Sequence, residues 1–268
     1  MRIYAIRDEL HQNIDLAYLT YYEKSKTFYI DVNDEVDIWE MPLIISSFAE
    51  KGIKTIDPTW SKIWVQQRIV SKERQNINSI LKNSGMAEYD EFKLLTLSEG
   101  RCVQDDCYIV ELFDMPKLLV ERKNKKIFDF FINEKLEITS YFIDGTVMKT
   151  SFNAMVDNHE KLKYILMHKD VLNSADIQVG GNGICWSENE YISSEELWQS
   201  GKKEKMSLDM VEEMMGRQLM TTSEACDLLD CSRQYIDELE KKGKLKAVKS
   251  VNRTKLFLKR DLLERLWV

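Results

Sequence analysis

Residues 221 to 243 leave the chain little choice of local structure. Thr221-Thr222-Ser223-Glu224-Ala225-Cys226-Asp227-Leu228-Leu229 offers a hydroxyl cap, an acidic first turn and an apolar face at Ala225, Leu228 and Leu229, which predicts a short amphipathic helix. Asp230 and Cys231 leave room only for a tight turn. Ser232 then caps a second helix, Arg233 to Lys242, in which Ile236 and Leu239 face inward and Gly243 ends the run. Two short helices with so brief a connection form a helix-turn-helix. Lys244 to Ser250, a polar turn at Asn252-Arg253, and Thr254 to Leu258 predict a two-stranded β wing, and Arg260 to Trp267 a closing helix.

Charge is segregated along the chain. The whole carries −7, yet Met220 to Val268 holds 11 Lys and Arg against 8 Asp and Glu. Any contact with a polyanion must therefore come from this local excess.

Through "MTTSEACDLLDCSRQYIDELEKKGKLKAV" and "NRTKLFLKRDLLERLW" the last 48 or so residues resemble the excisionase and MerR-like winged helix-turn-helix family. The resemblance implies double-stranded DNA as a partner. The helix that begins after Ser232 would enter the major groove, Arg233, Gln234 and Tyr235 would face base edges, and Lys249, Arg253 and Lys255 would hold phosphates. Lys241 and Asn252 complete the expected interface. Asp237, Glu238 and Glu240 depart from the family's more basic or aromatic pattern, and repulsion from phosphates is expected to weaken binding there. A module retained for protein contact is the other reading of the same residues.

Ahead of this segment the chain reads as α+β and multidomain: residues 1–112, a small α+β domain at 113–200, a connecting Met-rich helix at 201–219, and the winged helix-turn-helix at 220–268. Gly and Pro together number only 13 of 268, so long structureless linkers are not expected. The first region predicts a hairpin, Leu16 to Tyr22 and Thr27 to Val32, then helices at Met41 to Lys51, at Ser71 to Ser84 with Ser71 as cap, and at Tyr89 to Ser98. Trp60 and Trp64, four apart, are expected to share one helical face in a core, with a ligand groove as the other reading. The middle predicts strands at Lys126 to Ile132, Glu137 to Ile143 and Thr146 to Phe152 around the turn Asp144-Gly145. A turn follows at Gly180-Gly181-Asn182-Gly183, and then a helix capped by Ser193 or Ser194. "YFIDGTVMKTSF" and "IQVGGNGICWSENEYISSEELW" are similar to a small bacterial α+β domain family of unknown function, found alone as antitoxin-like partners or fused to a helix-turn-helix. That resemblance implies a sensing or protein-binding role.

Five of the twelve Met fall between Met206 and Met220, and Leu208, Val211, Met215 and Leu219 recur three or four apart. Such a stripe predicts a helix packed into a core or against a neighbouring domain, with a dimer or partner groove as the other reading.

The remaining candidate chemistry is sparse. His11, His159 and His168 have no nucleophile or ligand-spaced neighbours, Cys102/Cys107 and Cys226/Cys231 lack zinc spacing, and the glycine cluster at 180–183 lacks the lysine of a phosphate loop. Asp31, Asp34, Glu35 and Asp37, with Asp105-Asp106, read as solvated loop charge. No enzyme activity, metal or cofactor is expected. Neither an export signal nor a membrane span is apparent, and five scattered cysteines point to free thiols in a reducing cytoplasm. The expected function is a bacterial or phage transcriptional regulator, with sensing or oligomerising domains in front and a homodimer on adjacent half-sites. The alternative is an antitoxin-like or adaptor protein that grips a protein partner through its middle domain.

Overall fold

A computed structural model describes the chain except for residues 11–13, 157–161, 188–189 and 252–253. The described residues form two compact units, Met1–Leu119 and Val120–Val268. Both mix helices with antiparallel sheets.

In the first unit β1 (Arg2–Asp8), β2 (Ala17–Tyr22) and β3 (Thr27–Val32) form a meander, and Glu23-Lys24-Ser25-Lys26 makes the turn of the expected β2–β3 hairpin. There follow α1 (Leu43–Ala49), β4 (Thr55–Ile56), α2 (Pro58–Gln66), α3 (Ile77–Asn83), α4 (Glu91–Leu97) and β5 (Cys107–Leu112). The sheet order is β4-β3-β2-β1-β5. Side chains alternate across a strand, so Tyr4 and Ile6 enter the main core with Ile45, Trp64 and Leu95 from the helices. Ile3 and Ala5 join a smaller cluster with Tyr18 and Leu119 on the other face.

Three expectations for this unit need correction. The helix expected from Ser71 begins only at Ile77: the Ser71 hydroxyl accepts from Glu73 N at 3.3 Å and closes a turn, and the polar run up to Asn76 has no apolar residue to anchor it. Trp64 is buried, but Trp60 is 45% exposed and sits edge-on to Phe48. Two acids read as solvated are not. Asp31 is buried and accepts from the Thr55 hydroxyl at 2.7 Å, and Asp105 pairs with the buried guanidinium of Arg68.

Helix α5 (Lys117–Asn124) leads into the second unit, which opens with β6 (Ile127–Ile132), β7 (Glu137–Phe142) and β8 (Val147–Ser151). Gly145 takes a positive φ in the turn, and Asp144 accepts from Thr146 N at 2.8 Å, as an Asp-Gly hairpin requires. Next come α6 (Phe152–Val156), α7 (Lys163–Met167), α8 (Lys169–Leu172), β9 (Asp176–Ile177), β10 (Gly183–Ser187), β11 (Glu190–Ser193), α9 (Ser194–Ser200) and β12 (Lys202–Glu204). Strands order as β12-β8-β7-β6 and β11-β10-β9. Between β9 and β10, Gly181 lies so close to β6 that a Cβ there would meet the Ile127 carbonyl at 2.4 Å, and its φ is +73°. Ser193 caps α9 in a reciprocal pair with Glu196.

The chain ends with α10 (Leu208–Gln218), β13 (Leu219–Thr221), α11 (Thr222–Leu229), α12 (Arg233–Lys241), β14 (Lys249–Val251), β15 (Thr254–Leu258) and α13 (Lys259–Trp267). The apolar stripe of α10 does not enter a core: Leu208 is 82% and Met215 46% exposed. The helix is fastened by its polar end instead. Arg217 pairs with buried Asp129 on β6 at 3.0 Å and lies over Phe131, and buried Gln218 reaches Phe128 O and receives Arg260 N. Periodicity registers an apolar stripe but not that two polar residues on another face find partners in a sheet.

Candidate nucleic-acid interface

Helices α11 and α12 form a small core with Phe257 and Leu262, through Ala225, Ile236, Leu239 and Leu245. Thr221 and Glu224 cap α11 reciprocally, and hydrogen bonds from the Thr221 backbone and hydroxyl hold the Glu224 carboxyl below its ordinary pKa. Asp230 takes the left-handed conformation at the turn, a role open to Asp because its short side chain tolerates positive φ. Ser232 caps α12 by accepting from Tyr235 N at 3.3 Å. β15 lies between β13 and β14, so the hairpin is tied to the strand that enters α11.

Adjacent leucines of α13 serve two cores. Leu262 enters that of the helix pair, while Leu263 enters the core under the four-stranded sheet, where Leu228 and Trp267 join it. The helix pair is therefore anchored through α11 and α13. The outer face of α12 stays exposed, including Arg233, Gln234 and Tyr235.

The geometry of α12 sorts its polar residues. Ile236 and Leu239 point inward, and the face opposite them at 100° per residue is the i, i+4, i+7 stripe Gln234, Glu238 and Lys241, all exposed. Arg233 lies to one side of it, its Nη2 donating to the Ser223 hydroxyl at 2.8 Å, and Tyr235 to the other. Asp237 and Glu240 turn toward β15, where Lys255 Nζ contacts both, at 2.8 and 2.6 Å. Donating to Asp237 and to Glu240 raises the Lys255 pKa to about 12, and accepting from Lys255 lowers that of Asp237. Glu238 pairs with Lys242 at 3.0 Å on the exposed surface.

Of the expected site residues, Ser232, Arg233, Gln234, Tyr235 and Lys241 thus gather on one exposed helix, and Lys249 is exposed on β14. Lys255 stands apart, engaged with two carboxylates. Asn252 and Arg253 lie outside the described residues, as do His11 and His159; His168 is exposed. Sequence reading missed the clamp at Lys255, because nothing in strand periodicity says which helix a strand residue meets. The Gln234-Glu238-Lys241 stripe was readable from spacing. Cys226 and Cys231 are half-buried beside the small core, and all five cysteines are free thiols.

A family model described as a helix-turn-helix domain matches residues 219–267, from the first residue of β13 to the end of α13. No curated protein and no solved structure matches the chain. The terminal segment is a helix-turn-helix domain, a class of module that binds DNA. Among the described residues no helix is long and apolar enough to cross a membrane.

Proposed function

We propose that the protein is a sequence-specific DNA-binding regulator of bacterial or phage type, acting in the cytoplasm, in which α12 reads the major groove and the β14–β15 hairpin serves as a wing. The observation that carries this reading is the exposed stripe Gln234, Glu238 and Lys241, with the other two acids of the helix drawn away by Lys255. Gln suits adenine, Glu accepts from the cytosine amino group, and Lys suits guanine. Arg233 and Tyr235 flank this row, and Lys249 supplies a phosphate contact. Lys255 is a positioning residue that holds wing and reading helix together. One such module reads few base pairs, so two copies on adjacent half-sites give useful specificity.

The test is titration of the full chain against duplex DNA at two salt concentrations, after selection of a preferred site from random sequence. Affinity is expected to fall steeply with salt, because each phosphate contact releases counterions. Gln234→Ala and Glu238→Gln are each expected to relax preference at one base pair, by about 1 to 3 kcal/mol. Salt-insensitive or absent DNA binding overturns the proposal. Equal tightening on every sequence by Glu238→Gln would make that residue a source of repulsion and remove it from base reading.

A second reading, an antitoxin-like or adaptor protein, is favoured by one observation: the exposed Leu208 and Met215 of α10 offer apolar surface to a protein. A stable complex with a co-expressed neighbour, lost in Leu208→Glu, supports that reading.

A further inference from the structure

The four-stranded sheet of the second unit carries different cover on two parts of one face. Asp129, Phe131 and Tyr141 lie on the part under Arg217 of α10. At the other end a cleft of about 540 Å³ opens where β12 leaves β8, within the range of small-molecule sites. Among its lining residues are Glu137, Lys149, Ser200, Lys202 and Glu204.

The arrangement of charge distinguishes this cleft from an ordinary surface crevice. Lys149 and Lys202 are direct cross-strand partners, so two like charges face each other where a sheet ordinarily avoids it. Lys149 is answered by Glu137 at 2.9 Å, and Asn133 holds that carboxylate at 2.7 Å. Lys202 and Glu204, two apart on the same face of β12, form no ion pair among the described residues. Packing behind the cleft, on the core side, is close. Gly201 has an ordinary extended backbone, yet a Cβ there would come within 2.6 Å of the Leu197 carbonyl and 2.8 Å of Met148, so glycine is needed for close approach and not for its φ. Thr150, another lining residue, buries its hydroxyl on that core side, out of the cleft.

The two lysines and two glutamates of the lining sum to zero charge while presenting both signs. A strongly anionic or cationic ligand meets as much repulsion as attraction there. A molecule bearing one carboxylate and one ammonium finds Lys202 for the first and Glu204 for the second, with their backbone positions about 7 Å apart along the strand. We propose that this cleft binds a small zwitterion of the amino-acid or short-peptide class, with Lys202 and Glu204 as its charge-reading residues. The proposal deepens the reading of the protein as a regulator that senses a signal, but the binding itself is measured without DNA, so failure of either stands apart from failure of the other.

The experiment is isothermal titration of the full chain with each of the protein amino acids and a set of glycine-containing dipeptides, repeated with the N-acetylated and C-amidated forms of whichever binds. At least one zwitterion is expected to bind, with its singly charged forms weaker by about tenfold or more. Lys202→Met and Glu204→Gln, both at exposed positions, are expected to lose about as much while the unfolding midpoint stays put. Absence of binding across the panel overturns the proposal. So does affinity unchanged in both variants, or equal binding of the singly charged forms.

Discussion

Arg68 in the first unit and Lys255 in the second are both cations held by carboxylates, and they differ in what surrounds the pair. The Arg68 side chain is 1% exposed, lies 3.7 Å from the centre of the Trp64 ring and pairs with Asp105. Lys255 is 31% exposed and bridges two acids on a surface helix. A buried charge left alone has no water to return to, so the first pair is indispensable to its core once present. Exposed charges are already well solvated, so the second contributes little to stability and instead fixes where a helix and a strand sit. The same chemistry makes a core in one place and a geometry in the other.

The largest effect expected from this contrast is at Asp105. Asp105→Ala strands the Arg68 guanidinium and is expected to cost about 3 kcal/mol in urea unfolding; a loss below about 1 kcal/mol would break the contrast. Asp129→Ala, which removes the buried anchor of Arg217, falls between the extremes at about 2 kcal/mol. Its effect on DNA binding is expected to exceed its effect on stability, since Arg217 and Gln218 fasten the helix that leads into the terminal domain.

Lys255→Met is expected to leave the unfolding midpoint nearly unchanged and to weaken DNA binding without changing its salt slope. A phosphate contact would instead lower that slope by about one. The smallest effect is the pH dependence of that substitution. Lys255 keeps its proton up to about 12, above the ordinary 10.5, so what it contributes is lost only as pH rises through that value. Asp237 is held below its ordinary 3.8, so its share is lost only as pH falls through the lowered value. The difference in unfolding midpoint between wild type and Lys255→Met is therefore expected to stay flat between about pH 5 and pH 9. A step near neutrality would show that another titrating group takes part.

Sequence reading succeeded where one local rule decides the outcome. The β2–β3 hairpin, the Asp144-Gly145 turn, the Ser193 cap and the two helices after Thr221 and Ser232 each depend on residues within a few positions of one another. It failed where the partner lay far along the chain. The Asp105 carboxylate meets Arg68 37 residues away, and Arg217 meets Asp129 88 residues away. The α10 stripe shows the same limit: spacing defines a face, but only a neighbouring surface decides whether that face is covered.

By itself, then, the sequence determined the Ser193, Thr221 and Ser232 caps, the Asp144-Gly145 turn and the concentration of positive charge in the last segment, because these follow from backbone preference, short-range hydrogen bonding and composition. The tertiary structure alone decided which acids of α12 are drawn aside. It also decided that Leu262 and Leu263 divide between two cores, because each of those outcomes depends on what a distant part of the chain brings within a few ångströms.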